Sequence, residues 1–189
     1  MENVCVFSGS RLGRDPRHQQ AAAQLGESIA ARGLGLVYGG ASVGLMNLVA
    51  DAALRVGGRV IGVIPAFLAA KELAHPALTE LHVVDTMSAR KALMARLSGA
   101  FVALPGGFGT FEEYGEMLTW TQMKLHDRPC GLLNVGGFYD PLLAQFDRAY
   151  QDGFVLEDHR ALVLSHPEGP DLLDLLGAVR QPARSAGEG

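Results

Sequence analysis

The stretch FVALPGGFGTFEE, residues 101–113, shows the pattern that decides the fold. Its four apolar residues at 101–104 predict a buried strand, which Pro-Gly-Gly ends, and a helix is predicted from Thr110 to about Lys124. The same order of short apolar strand, glycine turn and helix occurs at 4–32 and at 34–56. Strands that are apolar throughout are typical of a parallel sheet with helices on both faces.

Outward from this stretch, strand and helix alternate over nearly the whole chain. Strands are predicted at 4–7, 34–38, 60–64, 81–84, 101–104 and 130–135, with an extended segment at 162–164. Helices are predicted at 16–32, 44–56, 87–97, 110–124, 141–151 and 171–179, and the stretch 66–79 is predicted to be irregular. The sequence therefore predicts an α/β fold with a doubly wound parallel sheet in a single domain, 1–180, followed by a flexible tail at 181–189.

Composition excludes several classes of protein. Hydrophobic residues make up 48% of the 189 and charged residues 19%, which excludes a disordered polyelectrolyte. The net charge of −4 and the scattered Lys and Arg residues argue against a nucleic-acid partner. No apolar run reaches the ~18–20 residues that span a bilayer, and the acidic start at Glu2 predicts no secretory signal. Cys5 and Cys130 are expected to be buried free thiols, so the protein is predicted to be cytoplasmic.

Metal and serine-hydrolase sites are not indicated. The six histidines show no metal-ligand spacing, and the two cysteines form no Cys-x-x-Cys pair. Ser8 and Ser10 lack the Gly-x-Ser-x-Gly elbow of serine hydrolases. The sequence predicts neither a metal nor a cofactor.

The glycine-rich turn at 105–113 is the sharpest candidate for a ligand site. Its three glycines would let the backbone approach a ligand and adopt positive φ, and Thr110 is expected to cap the helix whose N–H groups favour a phosphate. No Gly-Lys-Ser/Thr follows and no ribose-binding acid stands ~20 residues on, which favours a mononucleotide over a dinucleotide. The alternative is a capping box, in which Glu113 only reaches back to a backbone N–H.

Basic and acidic side chains accompany this turn. Arg90 and Lys91 lie in the first turn of a predicted helix, where a cation opposes the helix dipole and an anionic partner is expected. The alternative is a solvated surface pair. Glu113 and Glu116 share a helix face, and Thr119 with Trp120 continues it, where a base could lie. The segment 39–46, GGASVGLM, is either part of the same site or a tight turn without a ligand.

These motifs together resemble the Lonely guy (LOG) family. The resemblance is carried by Val-Tyr-Gly-Gly at 37–40, Ser-Val-Gly-Leu-Met at 42–46, Met87 with Arg90-Lys91, and Pro-Gly-Gly-Phe-Gly-Thr-Phe-Glu-Glu at 105–113. It implies a Rossmann-like fold, a homodimer, no metal, and activity as a cytokinin riboside 5′-monophosphate phosphoribohydrolase. Such an enzyme hydrolyses the N-glycosidic bond of the nucleotide, and the resemblance implies AMP as a further substrate. It releases free N6-substituted adenine and ribose 5-phosphate.

The resemblance also implies roles for particular residues. The family's catalytic arginine and glutamate correspond to Arg90 and Glu113. Its substrate contacts correspond to Glu72, Lys91, Gly107, Phe108, Gly109, Thr110, Phe111, Glu112 and Thr119. This chain departs from the family pattern at Ser8, Ala41, Asn47, Ser88 and Met123-Lys124, and the last two departures bear on the pocket for the base.

Two other functions remain open at this point. The same fold could be a carrier that binds a nucleotide or cofactor without cleaving it, although the presence of both Arg90 and Glu113 favours an enzyme. Pyridoxal-dependent decarboxylation of lysine would need a Schiff-base lysine with a partner acid, and the chain has only three lysines without that context.

Overall fold

The computed structural model describes residues 1–71 and 73–179. Within these ranges the strands are β1 (Asn3–Phe7), β2 (Gly35–Tyr38), β3 (Val60–Pro65), β4 (Glu80–Val84), β5 (Ala100–Ala103), β6 (Cys130–Leu133) and β7 (Val163–His166). The helices are α1 (Pro16–Ala31), α2 (Gly44–Arg55), α3 (Ala66–Ala69), α4 (Met87–Leu97), α5 (Phe108–Gln122), α6 (Asp140–Gln151), α7 (Glu157–Arg160) and α8 (Gly169–Ala178), with a 3-10 turn at Val135–Gly137.

The seven strands form one sheet in the order β4-β3-β2-β1-β5-β6-β7, and every pair is parallel. The chain runs outward from β1 to β4, returns to the other side of β1 as β5, and continues to β7. The order therefore reverses between β1 and β5, and ligands of such sheets bind at the carboxyl ends of strands at this reversal. The predicted α/β doubly wound parallel sheet is confirmed.

Each face of the sheet carries its own core, because side chains alternate along every strand. Val4 and Val6 of β1 pack with residues of α1, α2 and α8 on one face. Cys5 and Phe7 point the other way, into a core with α4, α5 and α6. Both cysteines are buried free thiols, as expected.

The local differences from the sequence prediction have simple causes. The stretch 66–79 contains a one-turn helix, α3, and the sequence also gave no sign of the short α7. Helices of one turn carry too little periodicity to be recognised. The edge strands β4 and β7 are only partly buried, whereas β1, β2 and β3 are buried throughout, because an edge strand has a neighbour on one side only. The tail predicted at 181–189 lies outside the described residues.

Candidate active site

Three turns interlock at the carboxyl edge of the sheet, where β1, β2 and β5 end. The Gly9 N–H donates to the Pro105 carbonyl at 3.1 Å, and the Leu45 N–H donates to the Gly9 carbonyl at 3.0 Å. Gly44 has φ of 57°, and a Cβ there would lie 2.3 Å from the carbonyl carbon of Ser10. Only glycine fits this contact, so the segment 39–46 is a tight turn that also builds the edge.

Arg90 is buried beneath this edge, where neighbouring groups fix the position of its guanidinium. It lies in the first turn of α4, which Thr86 caps by accepting from the Ala89 N–H at 3.0 Å. Arg90 Nε donates to the Val63 carbonyl at 3.1 Å. A Cβ on Gly39 would lie 1.9 Å from Arg90 Nη2, so the missing side chain makes room for the guanidinium. The solvated-surface alternative for Arg90 is therefore wrong.

Glu113 faces Arg90 across the space between α4 and α5. Arg90 Nη1 donates to Glu113 Oε1 at 3.0 Å, and both side chains are only 9% exposed. Burial raises the pKa of the Glu113 carboxyl, and the Arg90 charge opposes that rise. A buried carboxylate with a perturbed pKa beside a cation is characteristic of active sites. Glu113 makes this ion pair rather than reaching back as a capping box, so that alternative is wrong as well.

Lys91, the next residue of α4, forms a second contact with α5. Its ammonium contacts Glu112 and lies 2.9 Å from Glu116 Oε2. Burial lowers the pKa of Lys91, but its hydrogen bonds to Glu112 and Glu116 raise it overall. Glu112 is 55% exposed, so this cluster meets solvent where the Arg90 pair does not. The anionic partner expected for each cation is therefore a carboxylate of α5.

The glycine turn before α5 differs from its predicted form. The helix begins at Phe108 and Gly107 is its N-cap, without a side-chain hydrogen bond. Thr110 is the third residue of the helix and is buried, and a Cβ on Gly106 would lie 2.1 Å from its Oγ1. The prediction that Thr110 caps the helix is wrong, because Gly107 ends the turn through its backbone alone. Positive φ is also absent from the three glycines of this turn.

The remaining backbone of the turn is open. A Cβ on Gly107 or on Gly109 would meet no atom within 4 Å. The first N–H groups of α5 have no intrahelical partners and carry the positive end of the helix dipole. With Gly107 lacking a side chain to cap them, they are available to an anion.

The other predicted substrate contacts spread along α5. Phe108 is 93% exposed beside the open turn, and Phe111 is 40% exposed and makes a T-shaped contact with Tyr139. Thr119 lies about 9 Å farther along the helix than Glu113 and donates its hydroxyl to the Gly115 carbonyl at 2.7 Å. Within this chain Thr119 is therefore not brought to the Arg90–Glu113 pair.

Trp120 and Glu72 are the other two positions that the sequence singled out near the site. Trp120 is partly buried on the same helix face as Glu113, packs against the core and makes a T-shaped contact with His126. Glu72 lies outside the described residues.

Sequence reasoning missed the residues that seat Arg90. Gly39 was visible only as part of a glycine turn, and the Val63 carbonyl leaves no trace in the sequence.

Among residues 1–71 and 73–179, no group of three or more His, Cys, Asp or Glu side chains could hold a metal ion. No helix within the same ranges is long and apolar enough to cross a membrane.

Comparison with known proteins identifies relatives over nearly the whole chain. The family model described as "Possible lysine decarboxylase" matches residues 46–176. The cytokinin riboside 5′-monophosphate phosphoribohydrolase LOG of Oryza sativa subsp. japonica is 48% identical over 170 residues, covering 90% of this chain and 70% of that protein. The cytokinin riboside 5′-monophosphate phosphoribohydrolase of Rhodococcoides fascians is 48% identical over 182 residues, covering 96% of this chain and 90% of that protein.

Solved structures share the fold. The molybdenum cofactor binding protein from Rippkaea orientalis superimposes with a TM-score of 0.71, at 23% identity, covering 95% of this chain and 98% of that one. Identity at that level shows the architecture only. The relatives at 48% identity and the matching family model together show that the chain belongs to the LOG family.

Proposed function

We propose that this protein hydrolyses the N-glycosidic bond of cytokinin riboside 5′-monophosphates and of AMP. The products are the free adenine base, N6-substituted or plain, and ribose 5-phosphate. The observation that carries the proposal is the buried Arg90–Glu113 pair beside the open, uncapped start of α5. The names of the relatives at 48% identity support the same reaction.

The 5′-phosphate would bind at the start of α5. The backbone of 107–110 offers free N–H groups, and the open space at Gly107 and Gly109 lets phosphate oxygens come close. Lys91 lies on the neighbouring helix α4, where it contacts Glu112 of α5, and its positive charge would attract the phosphate. A nucleoside without the phosphate should therefore bind poorly.

The chemical step takes place at the anomeric carbon of the ribose. Water forms a bond to that carbon as its bond to the base nitrogen breaks, the bonding electrons leave with the base, and a proton from the water ends on the base. The sugar carries positive charge in the transition state, by analogy with other glycoside hydrolyses. Glu113 would stabilise this charge and orient the water; burial raises the pKa of Glu113, and the Arg90 charge favours its ionised form.

The remaining substrate contacts follow from position and from the resemblance. Phe108 and Phe111 offer aromatic surface at the mouth of the site, where a base or its N6 substituent would lie. Glu112 can exchange its contact with Lys91 for one with the substrate, because it is the exposed member of that cluster. Glu72 and Thr119 are proposed as contacts on the resemblance alone.

We also propose that the protein works as a cytoplasmic homodimer. The resemblance implies the dimer, and exposed apolar side chains at and just beyond the C-terminal ends of α5 and α6 are consistent with it. These are Met123, Leu125, Tyr150, Phe154 and Leu156. Sedimentation of the purified protein would test the oligomeric state directly.

The structure gives an argument against lysine decarboxylation. Lys91 is held between two carboxylates that raise its pKa, whereas a Schiff-base lysine must be neutral to react. Lys71 and Lys124 are exposed, without the desolvating pocket that activates a Schiff-base lysine. Absence of a new visible absorbance band on adding pyridoxal phosphate would agree with this.

The deciding experiment incubates the protein with AMP and, separately, with isopentenyladenosine monophosphate, and separates the products by chromatography. Free base and ribose 5-phosphate are expected from the wild type, and adenosine should be a poor substrate. A protein that binds both nucleotides but releases no base would instead be a carrier. The ratio of kcat/KM for the two nucleotides would then identify the preferred base.

A further inference from the structure

His75 is a buried side chain in the segment that joins α3 to β4. Its backbone N–H donates to the Gly40 carbonyl at 2.9 Å. Its Nδ1 accepts from the Ala77 N–H at 3.2 Å, and its Nε2 lies 3.0 Å from Asp51 Oδ1. Because Nδ1 accepts a hydrogen bond, Nε2 carries the hydrogen and donates it to Asp51. Each polar group of His75 that points into the protein therefore has a partner.

Asp51 fixes the other side of this contact. It lies on α2, and its second oxygen accepts from Asn47 Nδ2 at 2.6 Å. Two more contacts join the same parts of the chain, since the Ser42 N–H donates to the Leu73 carbonyl at 2.8 Å and Ala41 forms an antiparallel bridge with Ala74. The segment 73–77 is thus attached along the turn between β2 and α2, with His75 at its centre.

That turn is the one that seats Arg90. Gly39, which packs against the Arg90 guanidinium, directly precedes Gly40, which accepts from the His75 N–H. The segment 73–77 also directly follows Glu72, a proposed substrate contact. The His75–Asp51 contact therefore attaches the segment 73–77 to α2, beside the backbone hydrogen bonds that join the same segment to the turn at 39–42.

We propose that His75 and Asp51 are a positioning pair for nucleotide binding. The pair holds the segment 73–77 and the turn at 39–42 in the arrangement that receives the nucleotide, and neither side chain touches the reacting atoms. An apolar side chain could fill the same space, but only an imidazole makes both directional hydrogen bonds, and a fully satisfied buried polar group specifies a single arrangement. This inference rests on the proposed hydrolysis of nucleoside monophosphates.

The test uses three variants of His75 and one of Asp51. His75→Leu loses both side-chain hydrogen bonds, His75→Asn keeps an acceptor near Nδ1, and His75→Gln keeps a donor near Nε2. Asp51→Ala removes the partner. A lost hydrogen bond to a charged group changes an equilibrium about tenfold or more, so KM for AMP should rise about tenfold in His75→Leu, His75→Asn and Asp51→Ala. His75→Gln should stay within about threefold of wild type, and kcat should change little in all four.

The control is Ile29→Val, a change in the core of α1 that lowers stability without approaching the site. A merely structural role for His75 would lower the Tm of its variants while KM stayed at the wild-type value, as in Ile29→Val. That result would overturn the proposal, and so would an equal rise in KM for His75→Gln and His75→Asn.

Calorimetric titration with AMP separates this proposal from the proposed function. If the wild type binds AMP without releasing adenine, the hydrolase function fails, and a weaker Kd in His75→Leu with rescue in His75→Gln still supports the positioning pair. If the wild type hydrolyses AMP and every variant keeps its KM and Kd, the positioning pair is wrong and the function stands. If the wild type neither binds nor cleaves AMP or isopentenyladenosine monophosphate, both fail.

Discussion

Two neighbouring ionic contacts join α4 to α5, and their carboxylates differ in how far they are exposed to water. Arg90 meets Glu113 where both side chains are about nine-tenths buried, whereas Lys91 meets Glu112 and Glu116 where the carboxylates are 55% and 29% exposed. The two cations are adjacent in sequence, and so are Glu112 and Glu113. Since neighbours on a helix point about 100° apart, Glu113 lies inside and Glu112 at the surface, while the Lys91 side chain, which contacts Glu112 and Glu116, is 11% exposed.

The difference in burial gives the two contacts different uses. Separating a buried pair costs much free energy, so Arg90 and Glu113 keep each other in place, and the Arg90 charge opposes the rise that burial causes in the pKa of Glu113. An exposed contact is screened by water and salt and contributes little to stability. In the proposed reaction, Lys91 would exchange the exposed Glu112 carboxylate for an incoming phosphate, while Arg90 and Glu113 would remain as the fixed part of the site.

The largest predicted effect comes from removing the buried carboxylate. Glu113→Gln keeps the size and one acceptor but not the charge, so kcat for AMP should fall about 10²–10⁴-fold, the range for loss of a general base. Chromatography of released adenine at saturating AMP measures it. Glu27→Gln, an exposed ion-paired carboxylate on α1, is the matched control and should keep the wild-type rate. Hydrolysis by Glu113→Gln at the wild-type rate would show that Glu113 is not the group that stabilises the sugar.

The Arg90 guanidinium can be displaced by a substitution that removes neither the charge of Arg90 nor that of Glu113. A methyl group in Gly39→Ala would lie 1.9 Å from Arg90 Nη2, so the guanidinium must move. A displacement of about 1 Å in an active site can cost about 10²-fold in rate, and kcat/KM for AMP should fall by that order. Gly177→Ala in α8, where a Cβ would meet no atom within 4 Å, should leave kcat/KM unchanged. Full activity in Gly39→Ala would show that the position of Arg90 does not matter.

The exposed contact predicts opposite pH shifts from its two charges. Because Glu113 must be ionised and burial raises its pKa, the acid limb of kcat/KM should lie above the usual pKa of a glutamate. The Lys91 charge lowers the pKa of Glu113 and the Glu112 charge raises it. Lys91→Met should therefore move the acid limb to higher pH, and Glu112→Gln should move it to lower pH.

Profiles of kcat/KM for AMP from pH 4 to 8 measure these shifts. Lys91→Met should in addition raise KM for AMP about tenfold, because one charged contact to the phosphate is lost. Shifts of the same sign in Lys91→Met and Glu112→Gln would contradict the assignment of the acid limb to Glu113.

The parts of the fold and of the candidate site that could be predicted from the sequence are those that short stretches of chain determine. The apolar strands and glycine turns are local patterns, so the parallel sheet and the position of the site at its carboxyl edge were predictable. The start of α5 was misplaced because Thr110 is the usual type of cap, whereas Gly107 caps by backbone alone and offers no side-chain signal.

The partners of the site residues were out of reach for a different reason. Periodicity shows that Arg90 and Lys91 diverge, but it does not show that Glu113 faces one and Glu112 the other, 23 and 21 residues away. The seat of Arg90 on the Val63 carbonyl and the contact of His75 with Asp51 likewise depend on how β3 and α2 pack. Such pairings follow from the tertiary structure and not from any short stretch of chain.

The smallest predicted effect is on stability. It concerns the C-terminal end of α5, away from the two ionic contacts. Lys124 has φ of 57°, a left-handed conformation in which a side chain costs roughly 1–2 kcal/mol and which glycine adopts freely. Lys124→Gly should therefore raise the free energy of unfolding by about 1 kcal/mol, less the loss from greater freedom of the unfolded chain. Urea denaturation measures the gain. The departure at Lys124 was expected to bear on the pocket for the base, but residue 124 is exposed beyond the end of α5, about 16 Å along the helix from Glu113, so kcat for AMP should stay at the wild-type value. A changed kcat would show that the far end of α5 is coupled to Glu113. The Arg90–Glu113 contact would then depend on the whole of α5 and not only on its first turns.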